Sequence, residues 1–575
     1  MQKPHSKLIA FNKVFYEIKK KYGFTEACNW LEEEWTGSYY LHDAPSVSFT
    51  SYCYAYDLTR LVTDGLFFIS NFDNKAPEHL TTFVDFVGEY VSWTCNRSSG
   101  AVGLPNYLLY AYYFWKKDQK EHYLGIDDWE KYRDQSFQEI IYKLNQPYLR
   151  EGIQSAFSNF SIFDRPYFEA LFGGFVFPDG TMAIDVEDDF IEFEKSFMKV
   201  ESEVRSVNMM TFPVITISLL RKDKKFVDEK FAEWACRENM KWNDANFFIS
   251  DSVTSLSNCC RLKSNIKDLG YFNSIGGTAL RVGSVKVNTI NLARIAYDAK
   301  AMAGDYKDNY LNILKSRVKL CLRTLDRVRH IIQRNIEKGL LPNYTDGLID
   351  IKTQYNTIGI IGIYEALESF GLTKVDELGN TDYTQEGLDF AKEILSAINK
   401  YKEDFRKEEN CDYMINVEAV PAERAAAVLM EKDKRFYPNE KYTLPLYGNQ
   451  WIPLGVKCTL NTKVRLSAAL DDACGGGSIA HINLDAPLAN YDAAWKLLNY
   501  VADAGVTYFA FCTRISACEE NHGFYGDTCP ICGKPKVTSY QRIVGFLVPE
   551  KTYSKERKAE FKLRQWGDIK DLSEI

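Results

Sequence analysis

The chain has 575 residues, of which 46% are hydrophobic and 14% aromatic, enough for a large buried core. Lysine and arginine total 70 against 78 aspartates and glutamates, a net charge of −8. No Lys/Arg-rich block occurs, which argues against sequence-independent binding to a DNA or RNA backbone and leaves small phosphorylated ligands open. Length suggests about four units of ~150 residues, or two or three if one is a large α/β barrel. Met1 to Tyr22 is basic and amphipathic without an apolar signal-peptide core, and no run is long enough to span a bilayer. Fourteen cysteines without a secretion signal read as reduced thiols, metal ligands or catalytic groups. The expectation is a soluble cytoplasmic protein with no membrane or nucleic-acid partner.

In chain order, residues 1–40 read as a helical lead-in ending near Trp30 to Trp35. Residues 41–150 mix apolar helical segments with loops. Gly100 to Asn106 is expected as a turn before an aromatic-rich helix, Tyr107 to Lys117. Residues 151–180, with Gly152, Asn159, Pro166, Gly173, Gly174 and Pro178, read as loop. Phe212 to Leu219 reads as a strand. Asp308 to Lys338 is predicted as a long helix with Leu311, Leu314, Val318, Cys321, Leu325, Val328 and Ile332 on one face and Gly339 past its end. A second helix is expected over Leu388 to Phe405. Short β-rich runs lie at Val285 to Leu292, Met414 to Val420 and Val506 to Phe511. Strands interleaved with helices over 450 residues suggest βα repeats and a parallel sheet or barrel with its chemistry at strand ends. A cysteine-bearing, loop-rich tail begins near residue 505.

The strongest local motif is Cys518-x3-His522-x6-Cys529-Pro-Ile-Cys532-Gly533. Zinc takes four such ligands in a tetrahedron, and C-x2-C followed by glycine is the usual knuckle. A structural zinc site stands against free thiols, and Cys512 is an alternative to His522 as fourth ligand. In Arg542-Ile-Val-Gly545-Phe-Leu547, a glycine interrupts an apolar run. It marks either a bulge or a place that needs a Cα without a side chain, such as a backbone radical delocalised over both flanking amides. Adjacent Cys259 and Cys260 follow a polar loop, so at most one faces a pocket. Cys53 reads by itself as an ordinary apolar cysteine. Radical chemistry on a sugar requires one thiol that becomes a thiyl radical and a second that supplies a reducing equivalent. Ile415 to Ala425 reads as a strand running into a helix with Pro421 in its first turn, whose free N–H groups suit a phosphate. Gly475-Gly476-Gly477-Ser478 reads as a flexible loop or a close approach to a ligand.

Taken together these pieces resemble the anaerobic (class III) ribonucleotide reductases, a glycyl-radical family. The matching segments are His42-Asp43 with Cys53, Gly100 to Asn106, Gln154 to Arg165, Cys259-Cys-Arg-Leu262, Thr289 to Leu292, Glu418 to Glu423, the Cys/His cluster, and Arg542 to Leu547. They occur in family order over roughly residues 40–565.

The resemblance implies a ten-stranded α/β barrel over residues 1–505 and a zinc-binding, glycyl-radical region over 506–575. It implies anaerobic reduction of ribonucleotides, most often triphosphates, by a homodimer under dNTP or ATP specificity control. Gly545 is implied as the radical glycine, installed by a separate iron–sulfur, S-adenosylmethionine-dependent activase. Cys260 is implied as the thiyl site, Cys53 as the reducing thiol, and Pro421, Ala422, Glu423 and Arg424 as the edge of the substrate phosphate site.

This chain departs from the family pattern in three ways. It is expected to start almost at the barrel, without the ATP cone many members carry. Its zinc motif has His522 where a second C-x2-C is common. No cysteine occurs between Arg261 and Leu320, which favours formate as reductant over a redoxin. The competing readings are another glycyl-radical enzyme, a dehydratase or acyltransferase, and a non-enzymatic zinc-binding scaffold.

Overall fold

The computed structural model describes residues 4–46, 50–69, 74–147, 149, 154–253, 255–257, 263–265, 280–420, 423–475, 477–543 and 545–567. Ten strands form its central sheet: β1 Cys53–Ala55, β2 Val102–Gly103, β3 Ser158–Phe163, β4 Val214–Lys222, β5 Asn246–Ser250, β6 Gly283–Asn291, β7 Gln354–Ile361, β8 Ile415–Glu418, β9 Ala480–Asn483 and β10 Tyr508–Cys512. They follow one path, β8-β7-β6-β1-β2-β3-β4-β5-β10-β9. β1 to β5 are mutually parallel, as are β6 to β8 and β9 with β10. The halves meet antiparallel at β1/β6, where Cys53 faces Ser284, and at β5/β10, where Phe247 faces Phe509. The result is two parallel sets of five strands running in opposite directions. The terminal strands of the path approach through the Ala419 N–H, which donates to the Gly477 carbonyl at 3.2 Å. Tyr39–Leu41 and Lys225–Phe226 add short antiparallel strands to β6 and β4.

Strands covered on both faces lose the polar alternation of half-exposed ones. β7 (QYNTIGII) and β4 (VITISLLRK) are accordingly buried along nearly their whole length. One apolar core lies on the β1–β5 side and another on the β6–β8 side. The long helix runs over Tyr306–Glu337, capped by the Asp305 side chain, which accepts from the Lys307 and Asp308 N–H groups at 2.9 and 3.0 Å. At 32 residues it is about 48 Å long, and Leu314, Val318, Cys321, Leu325, Val328 and Ile332 are buried in the core on the β6–β8 side, while Leu311 at the start of the stripe is half-buried. The second expected helix spans Gln385–Glu408. Among the described residues no helix is long and apolar enough to cross a membrane.

Three expectations need correction. Residues 151–180 are not simply loop: they contain β3 and a helix over Arg165–Phe172. Asp164 starts that helix by accepting from the Tyr167 N–H at 3.1 Å, and its other oxygen accepts from the Leu220 N–H of β4 at 2.6 Å. Pro166 sits in the first turn, where proline fits a helix, and so marks its start. The turn expected at Gly100 to Asn106 contains β2, two residues long, wedged between β1 and β3. The main sheet also continues past residue 505 to Cys512.

After β10 a small antiparallel sheet begins: β11 Ile515–Ala517, β12 Gly523–Phe524, β13 Thr538–Arg542 and β14 Leu547–Pro549, in the order β12-β11-β13-β14. It is seated on the body where β12 meets the end of helix Glu187–Val207. A Cβ at Gly523 would lie 2.6 Å from both the Arg205 carbonyl oxygen and the Met209 sulfur, so only glycine allows that approach.

Candidate active site and metal cluster

Because the two halves run in opposite directions, the N-terminal ends of β1 to β5 and the C-terminal ends of β6 to β10 share one end of the sheet. Cys53 begins β1 at that end and is 7% exposed. Its sulfur accepts from the Ala101 N–H at 3.2 Å. The neighbouring Gly100 is required: an added Cβ would overlap the Cys53 sulfur and lie 2.9 Å from the Tyr52 carbonyl oxygen.

Gly545 comes to the same end by a different route. β13 and β14 form a hairpin whose last pair is Arg542↔Leu547, so residues 543–546 are its tip and Gly545 is buried there. The tip rests on the starts of three strands. Phe546 packs against Phe157, just before β3, and Phe212, just before β4, with ring centroids 5.6 and 5.3 Å apart. Arg542, 1% exposed, donates from Nη1 to Asn246 Oδ1 of β5 at 2.6 Å and to the Gly545 carbonyl at 2.8 Å. Its Nη2 donates to the Asp244 carbonyl. The Arg542 carbonyl in turn accepts from Arg564 Nη1 at 2.8 Å.

The strand Gly283–Asn291 carries an unusual polar load for a fully buried element. Lys286 Nζ donates to Ser46 Oγ at 3.0 Å, and burial lowers its pKa to about 8 against the opposing pull of Asp43. Thr289 Oγ1 lies 2.8 Å from His42 Nε2. Burial, aided by the Lys286 charge, pushes the His42 imidazole down to about 3, so it is neutral at physiological pH. A Cβ at Gly359 of β7 would overlap Thr289 Oγ1 and lie 2.9 Å from Val420, which ties this layer to the end of β8. His42 and Thr289 belong to quoted motifs but had no role attached. A lysine inside an apolar strand was the sequence signal for Lys286.

Four donor atoms from Cys518, His522, Cys529 and Cys532 all lie within 4.8 Å of one another. Cys529 Sγ is 3.5 Å from His522 Nδ1, and Cys532 Sγ is 3.7 Å from Cys518 Sγ. The knuckle closes through the Gly533 N–H, which donates to the Cys529 carbonyl at 2.9 Å with Gly533 at φ +70°, a conformation glycine adopts without strain. Burial raises the Cys529 thiol, but backbone N–H groups of Cys532 and Ile531 outweigh it and hold the pKa near 6. Three thiols and one imidazole at this spacing fit the donor set of a closed tetrahedral zinc site. Cys512 is elsewhere: it ends β10, and its thiol donates to the Ala510 carbonyl at 3.5 Å. The knuckle is tied to the body by Asn521, whose carbonyl accepts from the Met209 N–H at 2.8 Å and whose side chain donates to the Met209 carbonyl at 3.0 Å.

Cys260 lies outside the described residues, as do Cys259, Pro421 and Ala422. The strand β8 and the helix Glu423–Phe436 flank the expected junction, whose Pro421 and Ala422 lie outside the described residues, and Arg424 in the first turn of that helix is exposed. Of the loop 475–478, Gly475 and Gly477 both have positive φ, +68° and +101°.

The geometry can be set beside known proteins. A family model described as anaerobic ribonucleoside-triphosphate reductase matches residues 2–566. No curated protein sequence matches the chain. Among solved structures, an anaerobic ribonucleotide reductase is 40% identical with a TM-score of 0.91, over 98% of this chain and 88% of that one. The anaerobic ribonucleotide reductase from Thermotoga maritima in complex with dATP and CTP is 40% identical with a TM-score of 0.88, covering 97% of this chain and 90% of that one. The same enzyme with dATP bound in the specificity site gives 40% and 0.87, over 96% and 90%. With the family model matching nearly the whole chain and solved members 40% identical over 96–98% of it, the chain belongs to the anaerobic ribonucleoside-triphosphate reductase family, oxidoreductases that reduce ribonucleotides.

Proposed function

We propose that this chain reduces ribonucleoside triphosphates to 2′-deoxyribonucleotides with a glycyl radical on Gly545, a thiyl radical on Cys260 and a reducing thiol at Cys53. The observation that carries the reading is the seat of Gly545. It is a buried glycine at a hairpin tip, held by a buried arginine against the sheet end where Cys53 begins β1. Hydrogen-atom transfer needs donor and acceptor almost in contact, and a rigid hairpin anchored on strand starts supplies that precision.

In the cycle, Cys260 as thiyl takes the 3′-hydrogen of the ribose, water leaves C2′, and Cys53 delivers a hydrogen atom to C2′, leaving a 3′-ketone and a Cys53 thiyl. Formate gives a hydrogen atom to that thiyl. The carbon dioxide radical anion so formed passes its electron, with a proton, to the 3′-ketone and leaves as carbon dioxide. Cys260 then returns the hydrogen to C3′ and is again a thiyl. Pro421 to Arg424 border the phosphates at the start of a helix whose free N–H groups and dipole favour anions. Zinc held by Cys518, His522, Cys529 and Cys532 fixes the base of the tail. By similarity to the Thermotoga maritima structures with dATP and CTP, dNTP or ATP effectors set substrate choice. The remaining expectations are a homodimer, a radical-SAM activase and a cytoplasmic location.

The test is anaerobic activation with a cognate iron–sulfur activase and S-adenosylmethionine, followed by air and intact-mass measurement. Oxygen cleaves a chain at a glycyl radical, so release of a C-terminal fragment beginning at Gly545 is expected, alongside deoxynucleotide formation before air is admitted. A chain that stays whole overturns the reading. Labelled formate should release carbon dioxide in step with product, and turnover sustained by a redoxin without formate would displace it as reductant.

A further inference from the structure

The hold on Gly545 is more specific than burial of a loop requires. Arg542 is one of the largest fully buried side chains among the described residues, and its guanidinium donates to neutral acceptors: an amide oxygen and two carbonyls. Taking a guanidinium out of water for neutral acceptors is costly unless a carboxylate balances it. The carboxylate of Asp244, whose backbone carbonyl receives Nη2, is a nearby negative charge that favours the guanidinium, and it is itself paired with the buried Arg205 at 2.6 Å. Arg205 is anchored in turn by Glu201 and by the Met210 carbonyl at 2.7 Å. An apolar residue could fill the same space and fix the hairpin without this apparatus.

What the guanidinium does that an apolar residue cannot is donate to the carbonyl of the glycine itself. Once the Cα of Gly545 carries an unpaired electron and is planar, that carbonyl is conjugated with it. A donor held 2.8 Å from it fixes the orientation of the peptide plane and withdraws electron density from the group over which an unpaired electron at Cα spreads. The rigid fork of arginine suits the task, because one nitrogen can bridge β5 and the loop while the other is tied down separately.

We propose that Arg542 is a positioning residue for Gly545, orienting its peptide plane and tuning the radical through the Nη1 bond to its carbonyl. This rests on the reading of Gly545 as the radical site. The test compares wild type, Arg542→Lys and Arg542→Gln after anaerobic activation, by electron paramagnetic resonance and by deoxynucleotide formed per radical.

Lysine keeps the charge but cannot bridge Asn246 and Gly545 while also meeting Asp244. The expected result is an altered hyperfine splitting of the glycyl signal in Arg542→Lys, with turnover per radical lowered about tenfold, the factor for one charge-assisted hydrogen bond. Arg542→Gln should lose more than Arg542→Lys. A purely structural role would lower the amount of radical without changing the line shape of what remains. Zinc content reports whether the tail has kept its fold. Should Arg542→Lys lose metal, Asn246→Ala tests the same hold from the β5 side, with lowered turnover per radical expected. Wild-type line shape and turnover per radical in the folded variants overturn the positioning role alone. A wild-type chain that forms no radical at Gly545 overturns the underlying reading and this proposal with it.

Discussion

Gly100 and Cys53 occupy a space with room for one sulfur and no methyl group. The Ala101 N–H donates to the Cys53 thiol at 3.2 Å, and a Cβ on Gly100 would overlap that sulfur. The constraint is backbone as well as side chain, since the same Cβ lies 2.9 Å from the Tyr52 carbonyl oxygen. Gly100→Ala must therefore push β1 away from β2 or turn the thiol. Overpacking of this kind costs about 1–3 kcal/mol. The thermal midpoint should fall, and turnover should fall at 25 °C, where the variant is still folded. Wild-type turnover in Gly100→Ala would show that the position of Cys53 does not matter to the reaction.

Cys53→Ser removes the reducing thiol with little change in volume. The expected outcome is a normal glycyl radical signal, a normal oxygen-cleavage site at Gly545, and no deoxynucleotide. Product formation at the wild-type rate would remove Cys53 from the mechanism.

The metal cluster makes a prediction with an internal control. Cys529→Ser should lose zinc measured per chain and loosen the tail to proteolysis, because its sulfur lies within the four-atom cluster. Cys512→Ser should keep full zinc, because that thiol belongs to β10 and bonds the Ala510 carbonyl. Full metal in Cys529→Ser, or loss in a folded Cys512→Ser, would reassign the fourth corner.

His42 gives a signed dependence on pH. Its folded pKa near 3 lies below the ordinary value of 6.5, so between those limits the unfolded chain binds the proton and the folded one does not. Its stabilising contribution is complete above pH 6.5 and is lost as pH falls through the window to about 3. Between pH 7.5 and 5.5 this amounts to about 1.4 kcal/mol. Buried acids such as Glu365, raised to about 8, act in the opposite sense, so comparison with a variant is needed. Chemical denaturation of wild type and His42→Gln at both pH values should show the wild type losing that much more. Parallel losses in the two proteins would mean that His42 is charged or exposed in the folded state.

The amino-acid sequence by itself determined what a short window can encode. The long helix was legible because a stripe repeating every three to four residues needs no distant partner. The knuckle was legible because C-x2-C-G closes its own turn. The family was legible because many short motifs keep their order, although no one of them carries it.

Other features waited on tertiary contacts. β3 hid among glycines and prolines, since its burial comes from β2 and β4 on either side. The choice between His522 and Cys512 is a matter of which side chain turns toward three sulfurs, and strand pairing turned Cys512 away. Arg542 was visible only as one letter of a motif. Its role depends on Asn246, 296 residues earlier in the chain, and on Asp244 beside it, which together make burial of its charge tolerable. Local sequence sets conformation cheaply, over a few bonds. Where a buried charge finds its partner is decided only when the whole sheet has formed.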